Sequence, residues 1–132
     1  MGNRFEFTVI AADEKAGQHA IDTAVEEVQR IEALLSTFKE SSQTNLINQN
    51  AGQKPVKVDE EVILLIQRAL KISSLTQGAF DLTYGSLAAG LWNFDVNMTS
   101  LPDAATALES VHLIDYRNVA IDTLNATVLL KK

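Results

Sequence analysis

Two long runs of helical periodicity constrain this chain most. In residues 14–36, Ala20, Ile21, Ala24, Val28, Ile31, Leu34 and Leu35 recur at spacings of three and four. Glu26, Glu27, Arg30 and Glu32 fill much of the remainder and read as a solvated face. A second run begins after Asp59, a predicted N-cap backed by Glu60 and Glu61. It continues through Val62, Leu65, Ile66, Ala69, Leu70 and Ile72 until Gly78. Alternating segments flank these helices. Arg4–Ile10 places Phe5, Phe7 and Val9 on one face and predicts a strand. Pro55–Val58 predicts a short strand, and Val119–Asp122 with Ala126–Leu130 predicts a hairpin around Thr123–Asn125. Pro102 suits the first turn of a shorter third helix, ending near Leu113. The expected class is α+β, with a mixed or antiparallel sheet packed with two long helices and a shorter third.

Between the long helices, residues 36–54 are rich in Ser, Thr, Asn and Gln. They predict a loop with one helical turn around Thr44–Asn48, in which Asn45 and Asn48 satisfy loop backbone. At about 19 residues it is longer than an ordinary connection, which points to a functional loop.

Hydrophobic residues make up 46% of the 132 positions and charged residues 21%, an ordinary globular balance. The net charge of -6, with basic residues scattered from Arg4 to Lys132, argues against a nucleic-acid partner. Without cysteine there is no disulfide, thiolate metal site or thiol nucleophile. No apolar run reaches the roughly 18–20 residues of a membrane span. Strand-like sequence begins within four residues of Met1, so no signal peptide is read, though one removed upstream would be compatible. At the other end, an apolar strand closes the chain at Lys132. We therefore expect a fragment of a longer protein.

Residues 78–94 carry most of the chemical signal. Three glycines, two phenylalanines, the only Trp (Trp92), Tyr84 and one carboxylate, Asp81, make an aromatic wall suited to a flat, polar-edged ligand. Asp81 has two readings. It caps the turn that follows by accepting the amide of Thr83 or Tyr84, or it accepts hydrogen bonds from a ligand. Phe38, at the exit of the first helix, is either a plug on the core, the commoner use of such a residue, or a stacking surface. His19 and His112 lack a second ligand at metal-binding spacing and read as ordinary helix residues. No Walker loop, nucleophile elbow or dinucleotide fingerprint occurs. By themselves these residues define an α+β domain with an aromatic-walled pocket and name no reaction.

Four ordered blocks go further. Met1–Val9 resembles the opening of the ApbE-type FAD:protein FMN transferases, once called thiamine biosynthesis lipoproteins. Ile31–Asn48 is similar to their stretch running from a helix end through a serine, an aromatic and an asparagine. Gly78-Ala-Phe-Asp-Leu-Thr-Tyr-Gly-Ser-Leu, followed by Leu91-Trp-Asn-Phe94, resembles their G-A-F-D-P-T-V-G-P-L and L-W-G-F. Asp115–Val119 matches the stretch that follows. Asn3, Leu82, Tyr84, Ser86 and Asp115 depart from the pattern, whereas Asp81, Thr83, Gly85 and Trp92 keep it.

The resemblance implies the N-terminal portion of a single transferase domain, spanning residues 1–132 of a larger ApbE-like fold. The C-terminal half and its metal site would be missing. It implies FAD as substrate, with Met1, Phe38, Ala79, Phe80 and Asp81 at flavin-contacting positions. Mg2+ would be held by residues outside this sequence, and no catalytic residue or metal ligand falls within it. The whole protein would be a transferase moving FMN from FAD to a threonine hydroxyl of a flavin-accepting respiratory subunit, releasing AMP, and the fragment alone would be inactive. The native form would be extracytoplasmic, in the periplasm or on the outer face of the cell membrane, with a lipid anchor. Surface left bare by missing chain would favour self-association. Two rival readings are a non-catalytic flavin-binding module and a purely structural or dimerising α+β domain.

Overall fold

Asp13 starts the first helix. Its extended backbone turns the chain, and its carboxylate accepts the Ala16 amide at 2.8 Å, capping α1 (Glu14–Leu35). The computed structural model describes residues 4–86, 105, 108 and 111–132. The chain divides into two compact units, Met1–Asn50 and Ala51–Lys132.

In the first unit, α1 turns its apolar stripe inward. Ile21, Ala24, Val28, Ile31 and Leu35 are half-buried and Leu34 is buried, while Ala20 is exposed. The polar loop then leads into α2 (Gln43–Gln49). Where one turn was expected there is a complete short helix, because Ser42 caps it by accepting the Asn45 amide at 3.1 Å. Ile47 is buried, and Thr44 Oγ1 donates to the Leu34 carbonyl.

In the second unit, β1 (Val56–Lys57) precedes α3 (Glu60–Leu75), and β2 (Val119–Asp122) and β3 (Thr127–Leu130) form the predicted hairpin. The three strands make an antiparallel sheet in the order β1-β3-β2. Val128, at the centre, is 1% exposed and is opposed by Val56 on one side and Ile121 on the other. Val58, Val62, Ile63 and Val128 are the buried apolar core of this unit. Each such valine contributes about 1.5–3 kcal/mol by leaving water. The hairpin turn is organised by Asp122, whose carboxylate accepts the amides of Leu124 and Asn125 and the Asn125 side chain.

Several expectations are corrected. Residues 4–10 form no ladder with any described residue. Their alternation survives, since Arg4 pairs with Glu6 while Phe5 stacks on Phe7, but alternation gives a strand its faces and not its partner. Along α3, Val62, Ile63 and Ser73 are buried and Ile66, Ala69 and Leu70 half-buried, whereas Leu65 and Ile72 lie exposed. Asp59 stands at the N-cap, where its carbonyl accepts the amides of Val62 and Ile63, yet its side chain makes no cap hydrogen bond. The described pairings are all antiparallel, one of the two sheet types expected. The predicted helix 102–113 lies mostly outside the described residues, as do Met1, Trp92 and Phe94.

Candidate functional site

The end of α3 sets the position of the Ala79–Asp81 segment. Gly78 N–H donates to the Ser73 carbonyl at 2.8 Å and Gln77 N–H to the Ser74 carbonyl at 3.2 Å. This is the paired closure of a Schellman motif. Gln77, not a glycine, takes the first left-handed position at φ 53°, and Gly78 follows at φ 86°. A Cβ on Gly78 would lie 3.9 Å from Tyr116 Cε1, an ordinary contact, so the backbone angle is what demands glycine there. Ala79 N–H then donates to the Thr76 carbonyl and Phe80 N–H to Thr76 Oγ1.

Beyond this closure, Asp81 ties two distant stretches together. Its Oδ1 accepts the Thr83 amide at 2.8 Å and the Thr83 hydroxyl at 2.7 Å. Its Oδ2 accepts the Tyr116 amide at 2.7 Å. Thr83 Oγ1 in turn accepts the Asp115 amide at 2.9 Å. The 3-10 turns Leu82–Ser86 and Tyr116–Asn118 are thereby clasped. Asp115 receives Arg117 Nε at 2.7 Å, and this hydrogen bond, with the Arg117 amide, holds its carboxyl below the usual carboxylate range. The cap reading of Asp81 is thus realised, with a second arm that the sequence did not suggest. Phe80, next to the clasp, keeps 44% of its surface exposed.

Phe38 belongs to the first unit and is 81% exposed, so it is not a plug on the core. Its loop is firmly tied. Phe38 N–H donates to Ser36 Oγ, the buried Ser42 hydroxyl donates to the Ser36 carbonyl at 2.6 Å, and Asn45 Nδ2 donates to the carbonyls of Thr37 and Lys39. The role expected of Asn45 is therefore seen. An open depression at the start of α1, lined by Asp13, Glu14, Gln18, His19 and Asp22, holds none of the expected site residues. Among the described residues no three His, Asp or Glu side chains gather as a metal site, and His19 and His112 are exposed.

Sequence reasoning named Thr83 only for its amide, and missed its hydroxyl, Asp115 and Tyr116 as parts of this arrangement. The Asp-x-Thr spacing is a local signal for the first hydrogen bonds. Nothing in the sequence indicates the partner more than thirty positions away.

Taken together, these features define an α+β protein that mounts exposed aromatic rings on tightly bonded polar loops. The profile of the ApbE family matches residues 1–132, and the chain belongs to that family. Among similar proteins, an FAD:protein FMN transferase of Klebsiella pneumoniae is 34% identical over 105 residues, covering 80% of this chain and 33% of that protein. One of Treponema pallidum is 32% identical over 103 residues, covering 75% and 28%. The crystal structure of an ApbE protein from Thermotoga maritima superposes with a TM-score of 0.72 at 32% identity, over 90% of this chain and 39% of that one. The flavin transferase ApbE from Vibrio cholerae gives 0.68 at 26% identity, over 89% and 37%. The α+β fold is that of these proteins. The chain spans about a quarter to a third of the length of its curated relatives.

Proposed function

We propose that this chain is the flavin-nucleotide-facing portion of an FAD:protein FMN transferase. The reading is supported above all by the family match along residues 1–132, with relatives that bear this name. In the whole protein, a threonine hydroxyl of a flavin-accepting respiratory subunit attacks the FMN phosphorus of FAD. A new O–P bond forms, the pyrophosphate P–O bond to AMP breaks, and the hydroxyl proton passes to a base. Mg2+, held by residues outside this sequence, would offset charge on the phosphate oxygens. No step of the transfer is assigned to this chain, and the 132 residues alone are inactive in this reading.

The chain's own part is recognition. Phe80 offers a half-exposed ring beside the Asp81 clasp, and Phe38 offers a second exposed ring on its own rigid loop. Met1 and Ala79 complete the set that the resemblance assigns to flavin contact. The same resemblance supports a lipid-anchored, extracytoplasmic native protein. If FAD binds, both the melting temperature and Trp92 fluorescence shift on its addition. If neither moves, the proposal is wrong.

A second reading, association through apolar surface, is favoured by one specific observation. Phe5, Phe7, Val9 and Ile10 lie exposed on an unladdered segment, and Leu64, Leu65, Ile72 and Leu75 are exposed along α3.

A further inference from the structure

Thr83 is the hinge of the clasp. Its hydroxyl donates to Asp81 Oδ1 and accepts the Asp115 amide, so it uses both capacities of a hydroxyl at once. Valine matches its shape and can do neither, whereas serine can do both. A carboxylate offers about four lone-pair sites. Three donors already occupy Asp81, namely the Thr83 amide, the Thr83 hydroxyl and the Tyr116 amide. That leaves room for about one ligand hydrogen bond, on Oδ2. Among the described residues, Phe80 itself is tied on its other side through Thr76 Oγ1. The direction of its ring therefore depends on how firmly the next residues are held.

We infer that Thr83 is a positioning residue of the flavin-nucleotide site: its hydroxyl locks Ala79–Asp81 to the Asp115–Tyr116 turn, so that FAD meets the Phe80 ring and no more than one free lone pair of Asp81. This deepens the reading given above and rests on it.

The test is calorimetric titration of FAD into the 132-residue chain, its Thr83→Val and Thr83→Ser variants, and Asp122→Ala as a control destabilised at the distant hairpin turn. Hydrogen exchange of the Asp115 and Tyr116 amides is followed in parallel. Thr83→Val weakens FAD binding about tenfold, the worth of one lost hydrogen bond to an ionised network. It also speeds exchange at Asp115. Thr83→Ser restores both, and Asp122→Ala lowers the melting temperature with FAD affinity unchanged. Unaltered affinity in Thr83→Val with a deprotected Asp115 amide overturns the inference alone. So does a Thr83→Ser variant as weak as Thr83→Val. If the unaltered chain fails to bind FAD, the proposed function falls and the inference with it, and that result is read from the first titration. Should Thr83→Val not fold, exchange at Asp115 in the unaltered chain decides: slowing on FAD addition supports the inference, and no change overturns it.

Discussion

At Asp81 a single carboxylate realises the cap reading and adds an arm that the residue order does not suggest. It caps the turn that follows it, and it reaches across to the Tyr116 amide. Only the first of these is local enough to be legible in the residue order. Gln77 presents a sharper case. It holds the left-handed position that ends α3, at φ 53°, where side chains other than glycine are strained. Its N–H and that of Gly78 close the helix, so the site segment inherits its direction from this residue. Gln77→Gly removes the strain and should raise stability by about 1 kcal/mol in chemical denaturation. A loss of stability would mean that the Gln77 side chain supplies something the backbone account omits. Phe38 shows the limit of type-based reasoning: a large aromatic beside a helix end is usually buried, and here the loop bonds turn it outward.

Among the elements, the two long helices and the hairpin lie where their periodicities place them, because each pattern is satisfied within a few residues of itself. The segment 4–10 forms no ladder among the described residues, because a ladder needs a partner that alternation cannot specify. Its polar side carries Arg4 and Glu6, and its apolar side carries stacked Phe5 and Phe7. A segment of this kind, unladdered among the described residues and with exposed rings, is a template for pairing. Light scattering at rising concentration should show self-association, and Phe7→Lys should reduce it. A monomer at every concentration would refute the idea. The face of α3 that carries Leu65 and Ile72 was expected in the core and is exposed. Helical spacing marks an apolar surface without stating how wide a part of it is covered.

Across the molecule, the carboxylates among the described residues that show clear shifts are held low. Asp115 is held by Arg117, Asp122 by the Asn125 side chain and amide, and Glu27 by Arg30. A carboxyl whose folded pKa is depressed contributes stability above its unfolded pKa and loses it as pH falls through the folded value. Stability should therefore be flat above about pH 5 and decline below about pH 4. Asp122→Asn should shorten that decline in a pH series of thermal melts. A stability maximum below pH 4 would contradict the assignment. The α+β class was readable from ordered local patterns. The clasp was not, since it joins residues 81–83 to 115–116 through backbone donors that no residue type reveals.

The central claim is that residues 79–81 face a flavin nucleotide, and FAD titration of the unaltered chain against Phe80→Ala tests it most directly. Ring stacking is worth about 1–3 kcal/mol, so the account predicts saturable binding to the unaltered chain and about 5- to 150-fold weaker binding to the variant. Absence of saturable binding, or equal affinity in the two chains, would contradict it.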